Sequence, residues 1–340
     1  MRIDILCPSG SPVGIIPDDI HGRGVGGAEL ALMTWAEVMQ KRGHQVSIYN
    51  SPKRPGSYEG VEYYGIGEWD PNVSRDMSIL FRNPHPSFGS SKGLRVFWSC
   101  DQFTEGDYNR QIFPFADRVV TISPFHTNYF LEHYKVEESK IRDIPLGVRA
   151  WEYNEKVEKI RNRFIFCSVP HRGLHLLRGL WNGIVSEFPD ASLVITSDYR
   201  LWGSSNPDNH THRADWSGVQ NVQFLGKVSR KDLIRYQQEA ELLAYPCVFD
   251  ELFCIAVAEC QVAGVIPLTS GVGALPSTNI TGVVLPGDPR TEDWRRMFLD
   301  IVLGHLRNRD IIEEQGKKAS AVARAAFDWN TIALLWENLQ

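Results

Sequence analysis

The chain has 340 residues, of which 43% are hydrophobic and 23% charged, and its formal net charge is −5 at pH 7. This is the composition of a globular protein, and the length allows two domains of ordinary size. Because the net charge is negative and no long basic run occurs, a nucleic-acid partner is not expected.

The chain begins with MRIDILCPSG, which enters a predicted strand at once and lacks the apolar segment of a signal peptide. No apolar run approaches the roughly 18 residues that span a bilayer. We therefore expect a cytoplasmic protein with no transmembrane segment, which at most touches a membrane surface through basic pairs such as Arg295-Arg296. The six cysteines form no C-x-x-C pair and are predicted to be reduced thiols; they lie at positions 7, 100, 167, 247, 254 and 260.

A glycine-rich stretch, HGRGVGGAEL, occupies residues 21–30 and contains the spacing G-x-G-x-x-G. In a Rossmann unit this spacing brings a pyrophosphate to a helix N-terminus. A nicotinamide site is not favoured, because a long loop separates the first predicted strand from Gly22 and the second strand ends in Asn50, where an acidic residue is needed. The stretch instead predicts either an anion-binding start of the helix 28–41 or a plain surface turn.

Short apolar strands alternate with helices in both halves of the chain, which predicts parallel sheets covered on both faces. In the first half the predicted strands are 3–7, 46–49, 78–81, 96–99 and 119–122, and the predicted helices are 28–41 and 124–133. In the second half the predicted strands are 164–167, 193–196, 222–225, 242–245 and 265–268, and the predicted helices are 174–188, 230–239 and 255–263.

The predicted fold class is therefore α/β, with two Rossmann-like doubly wound domains facing each other across a cleft. We place these domains at 1–150 and 151–325, with a hinge near 148–163 and a C-terminal helix in 326–340 that packs back toward the N-terminal domain. Open sheets of this kind bind ligands at the carboxyl ends of their strands. The segment 198–218 is predicted to be an irregular surface insertion, since its histidines have no acidic or cysteine partner at metal-ligand spacing.

Two carboxylates stand out in the stretch YPCVFDELFCIAVAECQVAG, which covers residues 245–264. Glu251 precedes a predicted helix, so it either caps that helix or faces a ligand. Glu259 lies within the otherwise apolar helix, where a charged group needs a protein partner or a ligand hydroxyl.

This stretch resembles the E-x7-E signature of retaining glycosyltransferases of the GT-B fold, family 4 in particular. The family segment has the form P-S-x-x-E-x-F-G-x-x-x-x-E-A-M-A-x-G-x-P, and the matching residues are Pro246, Glu251, Phe253, Glu259, Ala263, Gly264 and Pro267. Other stretches resemble the family in the same order along the chain, namely GVGGAE at 24–29, the segment from VVTISPF to IPLGV, TSGVG at 269–273 and TGVVLPGDP at 281–289.

The resemblance implies a role for each matched residue. Glu259 would accept hydrogen bonds from the ribose hydroxyls of a nucleotide, and Glu251 would hold hydroxyls of the donor sugar. The helix start at Phe253, Cys254 and Ile255 would present backbone N–H groups to the sugar or diphosphate. Arg172, in the place of a family lysine, would bind the diphosphate together with the helix start at Gly26 and Gly27.

The chain departs from the family pattern at three places. Cys254 stands where the family usually has glycine, and Cys167 and Ser168 occupy the region of a family arginine that binds phosphate. A histidine common in the first domain is replaced by Cys100 and Asp101. Asp101 would then contact a sugar hydroxyl or assist proton transfer, and the alternative is that it caps a helix.

These residues predict a retaining, metal-independent transferase with no cofactor, since no Asp-x-Asp occurs to hold a cation. It would move a sugar from a nucleoside diphosphate sugar to a hydroxyl of a glycan or glycoconjugate acceptor. The resemblance implies an acceptor-side domain over 1–150 and a nucleotide-sugar-binding domain over 151–325, with catalytic roles for Glu251, Asp101 and Arg172. The alternatives are an epimerase or phosphorylase of the same fold, or a sugar-nucleotide-binding protein without catalysis.

Overall fold

The computed structural model describes residues 1–8, 14–22, 24–102, 105–202 and 208–339. Its strands are Arg2–Leu6 (β1), Gln45–Tyr49 (β2), Gly56–Tyr58 (β3), Val61–Tyr64 (β4), Met77–Phe81 (β5), Leu94–Trp98 (β6), Arg118–Thr121 (β7), Ile141–Asp143 (β8), Arg163–Phe166 (β9), Ser192–Ile195 (β10), Val222–Phe224 (β11), Leu242–Tyr245 (β12), Ile266–Ser270 (β13) and Val283–Leu285 (β14). Its α-helices are Asp18–Gly22 (α1), Gly27–Lys41 (α2), Tyr108–Gln111 (α3), Pro124–His133 (α4), Leu174–Glu187 (α5), Asp208–Asp215 (α6), Arg230–Glu239 (α7), Ile255–Val262 (α8), Leu275–Thr278 (α9), Glu292–Arg307 (α10), Arg309–Ala326 (α11) and Trp329–Glu337 (α12).

Backbone contacts divide the chain into two compact units. The first contains residues 1–20, 25–147 and 329–340, and the second contains residues 21–24 and 148–328. The chain thus passes into the second unit after Gly147 and returns to the first at Trp329, so that α12 belongs to the N-terminal unit.

The first unit is built on one sheet with the strand order β3-β4-β2-β1-β5-β6-β7-β8. All neighbouring pairs are parallel except β3 and β4. The five predicted strands are confirmed within one or two residues, whereas sequence analysis missed β3, β4 and β8. These three lie toward the two edges of the sheet and are short, so they lack the apolar run by which a buried parallel strand is recognised.

The second unit has a parallel sheet with the order β11-β10-β9-β12-β13-β14. Its core consists of the buried sides of β9, β10, β12 and β13 with apolar faces of α5, α8 and α10. The prediction that 198–218 is irregular is wrong for residues 208–215, which form α6. That helix buries none of its side chains, so it has no apolar periodicity that sequence analysis could detect. Residues 203–207 of the predicted insertion lie outside the described ranges.

Helix α12 is anchored to the first unit by aromatic packing and by an ion pair. Trp336 is 1% exposed, and its ring centroid lies 4.9 Å from that of Trp35 and 4.8 Å from that of Trp98. At the end of the helix, Arg42 donates hydrogen bonds of 2.9 and 2.7 Å to the two carboxylate oxygens of Glu337. His44 lies 2.8 Å from the same carboxylate. Within the described ranges, no helix has the length and apolar content that crossing a bilayer requires.

The Glu337 contacts make the attachment of α12 sensitive to acid. Hydrogen bonds from Arg42 and then His44 lower the pKa of Glu337 from 4.5 to about 2. Because the folded pKa is depressed, the stabilisation is present above pH 4.5 and is lost as the pH falls toward 2.

We expect Glu337→Gln to lower the melting temperature of the full chain at pH 7, and this deficit to shrink as the pH is lowered from 4.5 toward 2. The measurement is a thermal melt across this pH range. Glu132→Gln, which changes an exposed glutamate on α4, serves as the control and should leave the melting temperature unchanged. A deficit that stays constant down to pH 2.5 would contradict the assignment.

Candidate active site

The carboxyl ends of β9 and β12 carry two of the predicted site residues, Arg172 and Glu251. These strands are neighbours in the second sheet, so the loops that follow them meet. Contact between the loops requires glycine at position 173, where φ is +122°. A Cβ atom there would lie 2.2 Å from the carbonyl oxygen of Pro246, which no larger residue could tolerate.

Glu251 is 3% exposed and its carboxylate is fully engaged by two neighbours. Arg172 Nη1 lies 2.8 Å from both carboxylate oxygens, and the hydroxyl of Tyr245 donates a 2.7 Å hydrogen bond to Oε1. The same hydroxyl lies 3.0 Å from Ser168 Oγ. The alternative that Glu251 caps the next helix is wrong, because α8 begins after Cys254 and has no side-chain cap.

Arg172 is held between Glu251 and an aromatic ring. Its guanidinium carbon lies 4.4 Å from the ring centroid of Phe249. Burial lowers the pKa of Arg172, but the Glu251 carboxylate acts in the opposite direction and the net pKa is raised, so the group stays charged. All its hydrogen bonds to described residues leave from Nη1, and its Nε is buried with no partner among them.

The loop after β13, which begins with the last three residues of the TSGVG stretch, holds the backbone of Glu251 in place. The Ala274 N–H donates a 2.7 Å hydrogen bond to the Glu251 carbonyl. Gly273 has φ of +59°, and a Cβ atom there would lie 2.5 Å from the Glu251 backbone nitrogen. The glycine therefore lets the loop after β13 approach the backbone of Glu251 closely. The loop after β9, which carries Arg172, contacts Glu251 from the other neighbouring strand.

Glu259, on α8, has its own protein partners. Its Oε1 accepts a 2.6 Å hydrogen bond from Arg230 Nη1, and its Oε2 accepts one of 3.3 Å from Gln237 Nε2. Burial alone therefore does not require a ligand at this carboxylate, since Arg230 already neutralises it. Burial lowers the pKa of Arg230, yet Glu259 leads the opposing charges and the pKa is raised overall.

The start of α8 presents backbone groups. Cys254 lies before the first helical residue with φ of +68° and ψ of +73°, a left-handed conformation that favours glycine. The family segment that this stretch resembles has glycine at the matching position, which suits that conformation. The Phe253 ring packs on Phe327 with a centroid distance of 5.8 Å, and the residue is buried, so its side chain is not available to a ligand. The N–H groups of Ile255 and Ala256 precede the first helical hydrogen bonds, which Val257 and Ala258 donate to the Cys254 carbonyl at 3.0 and 3.3 Å.

In the first unit, Gly26 and Gly27 form the start of α2 as predicted. Gly26 is the residue before the helix, and no side chain hydrogen-bonds to its cap. The carboxylate of Glu29 lies beside it, because a Cβ atom at Gly26 would be 2.5 Å from Glu29 Oε2. Burial raises the pKa of Glu29 against the effect of Arg82. An anion approaching this helix start would therefore meet a carboxylate already in place.

Asp101 follows β6 and pairs with Arg82, which follows the neighbouring strand β5. Arg82 Nε and Nη2 donate to the two Asp101 oxygens at 2.5 and 3.2 Å, and Nη1 donates to Glu29 Oε1 at 2.8 Å. The helix-cap alternative for Asp101 is wrong, since Asp107 caps α3. Arg82 has φ of +69°, a strained conformation for arginine of the kind that concentrates at functional sites.

Sequence analysis missed three residues that hold the predicted site residues, namely Arg82, Arg230 and Tyr245. The sequence marks them only by their place along the chain. Arg82 and Tyr245 lie at strand ends, and Arg230 follows Ser229, which caps a helix. Which carboxylate each one contacts depends on strand order, which one sequence does not reveal.

A cluster of three or more metal-ligating side chains is absent from the part of the chain that the structure describes. His210 and His212 lie on α6, where the His212 ring packs 5.9 Å from that of Tyr199. Independence from metal stays a prediction from the sequence.

Comparison with known proteins shows which family the second unit resembles. The family described as "Glycosyl transferases group 1" matches residues 153–318, which include Arg172, Glu251 and Glu259. Over these residues the second unit is similar to the group 1 glycosyl transferases. The matched residues 153–318 lie within the segment 148–328 of that unit, so the resemblance of the first unit rests on its motifs and its fold.

A curated relative supports the same family. The D-inositol 3-phosphate glycosyltransferase of Mycobacterium sp. (strain KMS) is 31% identical over 113 residues, 32% of this chain. The aligned segment spans only 25% of that relative's own length.

Solved structures extend the likeness to both units. Sucrose-phosphate synthase from Thermosynechococcus elongatus superposes with a TM-score of 0.73 at 15% identity, over 99% of this chain and 98% of the other. Anabaena Alr3699/HepE, in complex with UDP and glucose, gives a TM-score of 0.69 at 14% identity over 99% and 98% of the two chains. The predicted GT-B fold is confirmed.

The left-handed Cys254 before α8 gives a test of this geometry. At most positions alanine is more stable than glycine, because glycine loses more backbone entropy on folding. At position 254 the order should reverse, since a left-handed residue with a Cβ atom costs about 1–2 kcal/mol.

We expect the unfolding free energy of Cys254→Gly to exceed that of Cys254→Ala by about 1 kcal/mol. This difference is the cost of the left-handed conformation for alanine minus the extra backbone entropy that glycine loses on folding. Cys247 is the matched control, being another buried thiol of the same core and without positive φ. There the alanine variant should be the more stable one. Chemical unfolding of the full chain measures all four variants, and the same order at both positions would contradict the account.

Proposed function

We propose that this chain is a retaining glycosyltransferase that moves a sugar from a nucleoside diphosphate sugar to an acceptor hydroxyl. The observation that carries this proposal is the set formed by Arg172, Glu251 and Tyr245 beside the uncapped start of α8. It combines a cation, a buried carboxylate and free backbone N–H groups at the carboxyl edge of a parallel sheet, where such sheets bind nucleotides.

The Arg172–Glu251 pair suggests how donor binding proceeds. Without ligand, Glu251 neutralises Arg172 at 2.8 Å. A diphosphate offers the guanidinium a more highly charged partner, and the unpartnered Nε of Arg172 provides a further donor for it. Glu251, relieved of part of this contact, can then accept hydrogen bonds from sugar hydroxyls.

In the transfer, the bond between the anomeric carbon and the diphosphate oxygen breaks, and a bond to the acceptor oxygen forms on the same face. The acceptor proton passes to the departing diphosphate oxygen as that bond forms, and the diphosphate leaves with the electron pair of the broken bond. Arg172 and the first-turn N–H groups of α8 would stabilise the leaving charge by preorganised electrostatics. Glu259 would hold the ribose, and a role for Asp101 of the first unit stays a prediction from the resemblance.

The base, sugar and acceptor are open to experiment. The comparison structure of HepE contains UDP and glucose, and the curated relative is named for transfer to D-inositol 3-phosphate, which suggests the first compounds to try. All six cysteines are free thiols, which fits a reducing compartment such as the cytoplasm.

A thermal-shift screen of the full chain against UDP-, GDP-, dTDP- and ADP-sugars tests the proposal. One donor class should raise the melting temperature, because a ligand that binds only the folded state stabilises it in proportion to its affinity and concentration. Incubation with acceptor should then release nucleoside diphosphate, and NMR of the product should show an unchanged anomeric configuration. Epimerised donor without released diphosphate would support the epimerase alternative, and binding without turnover would support a non-catalytic binder.

The proposed exchange predicts opposite effects on two ligands in Glu251→Gln. Affinity for the nucleoside diphosphate alone should rise, because the anion that competes for Arg172 is removed. Turnover of the sugar nucleotide should fall about tenfold or more, because a charge-assisted hydrogen bond to the sugar is lost. Calorimetric titration and steady-state kinetics measure the two effects.

Arg172→Gln should instead weaken binding of both ligands about tenfold or more. Arg178→Gln is the matched control, since Arg178 also stacks on an aromatic ring, that of Trp216, and lies on α5 just after the same loop. It should change neither affinity by more than about twofold, the level of a surface substitution. Wild-type affinities in Arg172→Gln would refute the role of this residue in phosphate binding.

A further inference from the structure

Arg230 is the first residue of α7 and is 6% exposed, which is unusual for an arginine at a helix start. Two carboxylates fix its guanidinium. Nε donates a 2.8 Å hydrogen bond to Glu152 Oε2, and Nη1 donates one of 2.6 Å to Glu259 Oε1. Arg149 in turn donates a 2.6 Å hydrogen bond to Glu152.

The charges of this network balance, with two guanidinium groups and two carboxylates. Neutralising Glu259 therefore does not account for all of Arg230, because one of its nitrogens remains. Nη2 is buried and has no hydrogen-bond partner among the described residues. The nearest aromatic contact is distant, since the guanidinium carbon lies 5.9 Å from the ring centroid of Tyr153.

A buried donor without a partner costs about 1–3 kcal/mol, and more when the group is charged. Such a group calls for a specific explanation, commonly a ligand or an ordered water. Here the unpaired donor belongs to the same guanidinium that holds Glu259 Oε1, while Oε2 of that carboxylate has only the long 3.3 Å contact from Gln237. The hydrogen-bonded pair of Arg230 and Glu259 thus contains both a donor without a partner and an acceptor with spare capacity.

A hydroxyl is the group that both donates and accepts a hydrogen bond. We propose that Arg230 is a specificity-determining residue. One ribose hydroxyl would donate a hydrogen bond to Glu259, and the oxygen of the same hydroxyl would accept one from Arg230 Nη2. The inference rests on the proposed function, which places the ribose at Glu259. It adds that Arg230 supplies part of the preference for a ribonucleotide over the deoxynucleotide.

The test is calorimetric titration of the full chain with UDP, GDP and ADP, each compared with its 2′-deoxy and 3′-deoxy forms. Two charge-assisted hydrogen bonds to one hydroxyl should favour the ribonucleotide about a hundredfold over one of the deoxy forms. In Arg230→Lys, which keeps a positive charge beside Glu259, this preference should fall about tenfold. Arg230→Gln gives a second variant with the same expected loss of preference.

Arg149→Lys is the control, because Arg149 belongs to the same network through its hydrogen bond to Glu152. It should leave the preference for the ribonucleotide unchanged. A purely structural role for Arg230 would weaken binding of ribo and deoxy forms equally, so the ratio separates the two roles.

An equal affinity of the wild-type chain for ribo and deoxy forms would overturn this inference and leave the proposed function standing. An undiminished preference in the Arg230 variants would overturn it as well. Failure of all three nucleoside diphosphates to bind would instead refute the proposed function, and this inference with it.

Discussion

The candidate site depends on ion pairs between buried carboxylates and guanidinium groups. A carboxylate removed from water is costly unless a cation and hydrogen bonds compensate it, and removal of one partner of such a pair costs about 3–5 kcal/mol. Glu251 and Glu259 are each 3% exposed, and each has an arginine. The pairs also fix geometry, since Arg172 ties the loop after β9 to the loop after β12, and Arg230 ties α7 to α8.

The two pairs differ in what they leave available. Arg172 has 23% of its side chain exposed and uses one nitrogen for Glu251, so a strong anion can compete for it. Arg230 is held at two nitrogens by two carboxylates and is 5% exposed, so its position is fixed before any ligand arrives. The Arg172–Glu251 pair is therefore suited to an exchange of partners. The Arg230–Glu259 pair is suited to recognising a ligand through a donor and an acceptor in fixed positions.

The first unit also has a guanidinium paired with carboxylates at the carboxyl ends of its strands. Arg82 lies between Glu29 and Asp101 and adopts a left-handed backbone conformation that an arginine adopts only where its surroundings impose it. Both oxygens of Asp101 and one of Glu29 accept hydrogen bonds from this guanidinium, so the cation is already engaged by carboxylates. Where the family commonly has a histidine, this chain thus has Asp101 within a local ion-pair network.

The sequence by itself determined much of this protein. Alternating apolar strands and helices gave the fold class, because strands buried on both faces need continuous apolar runs that are easily recognised. The carboxylates at positions 251 and 259 were recognised because their spacing accompanies a helix start in a known family. Only the tertiary structure decided which groups face them. Arg172, Arg230 and Arg82 lie 79, 29 and 19 residues from Glu251, Glu259 and Asp101. Such pairs are brought together by strand order and backbone conformation, and one sequence carries no local signal for either.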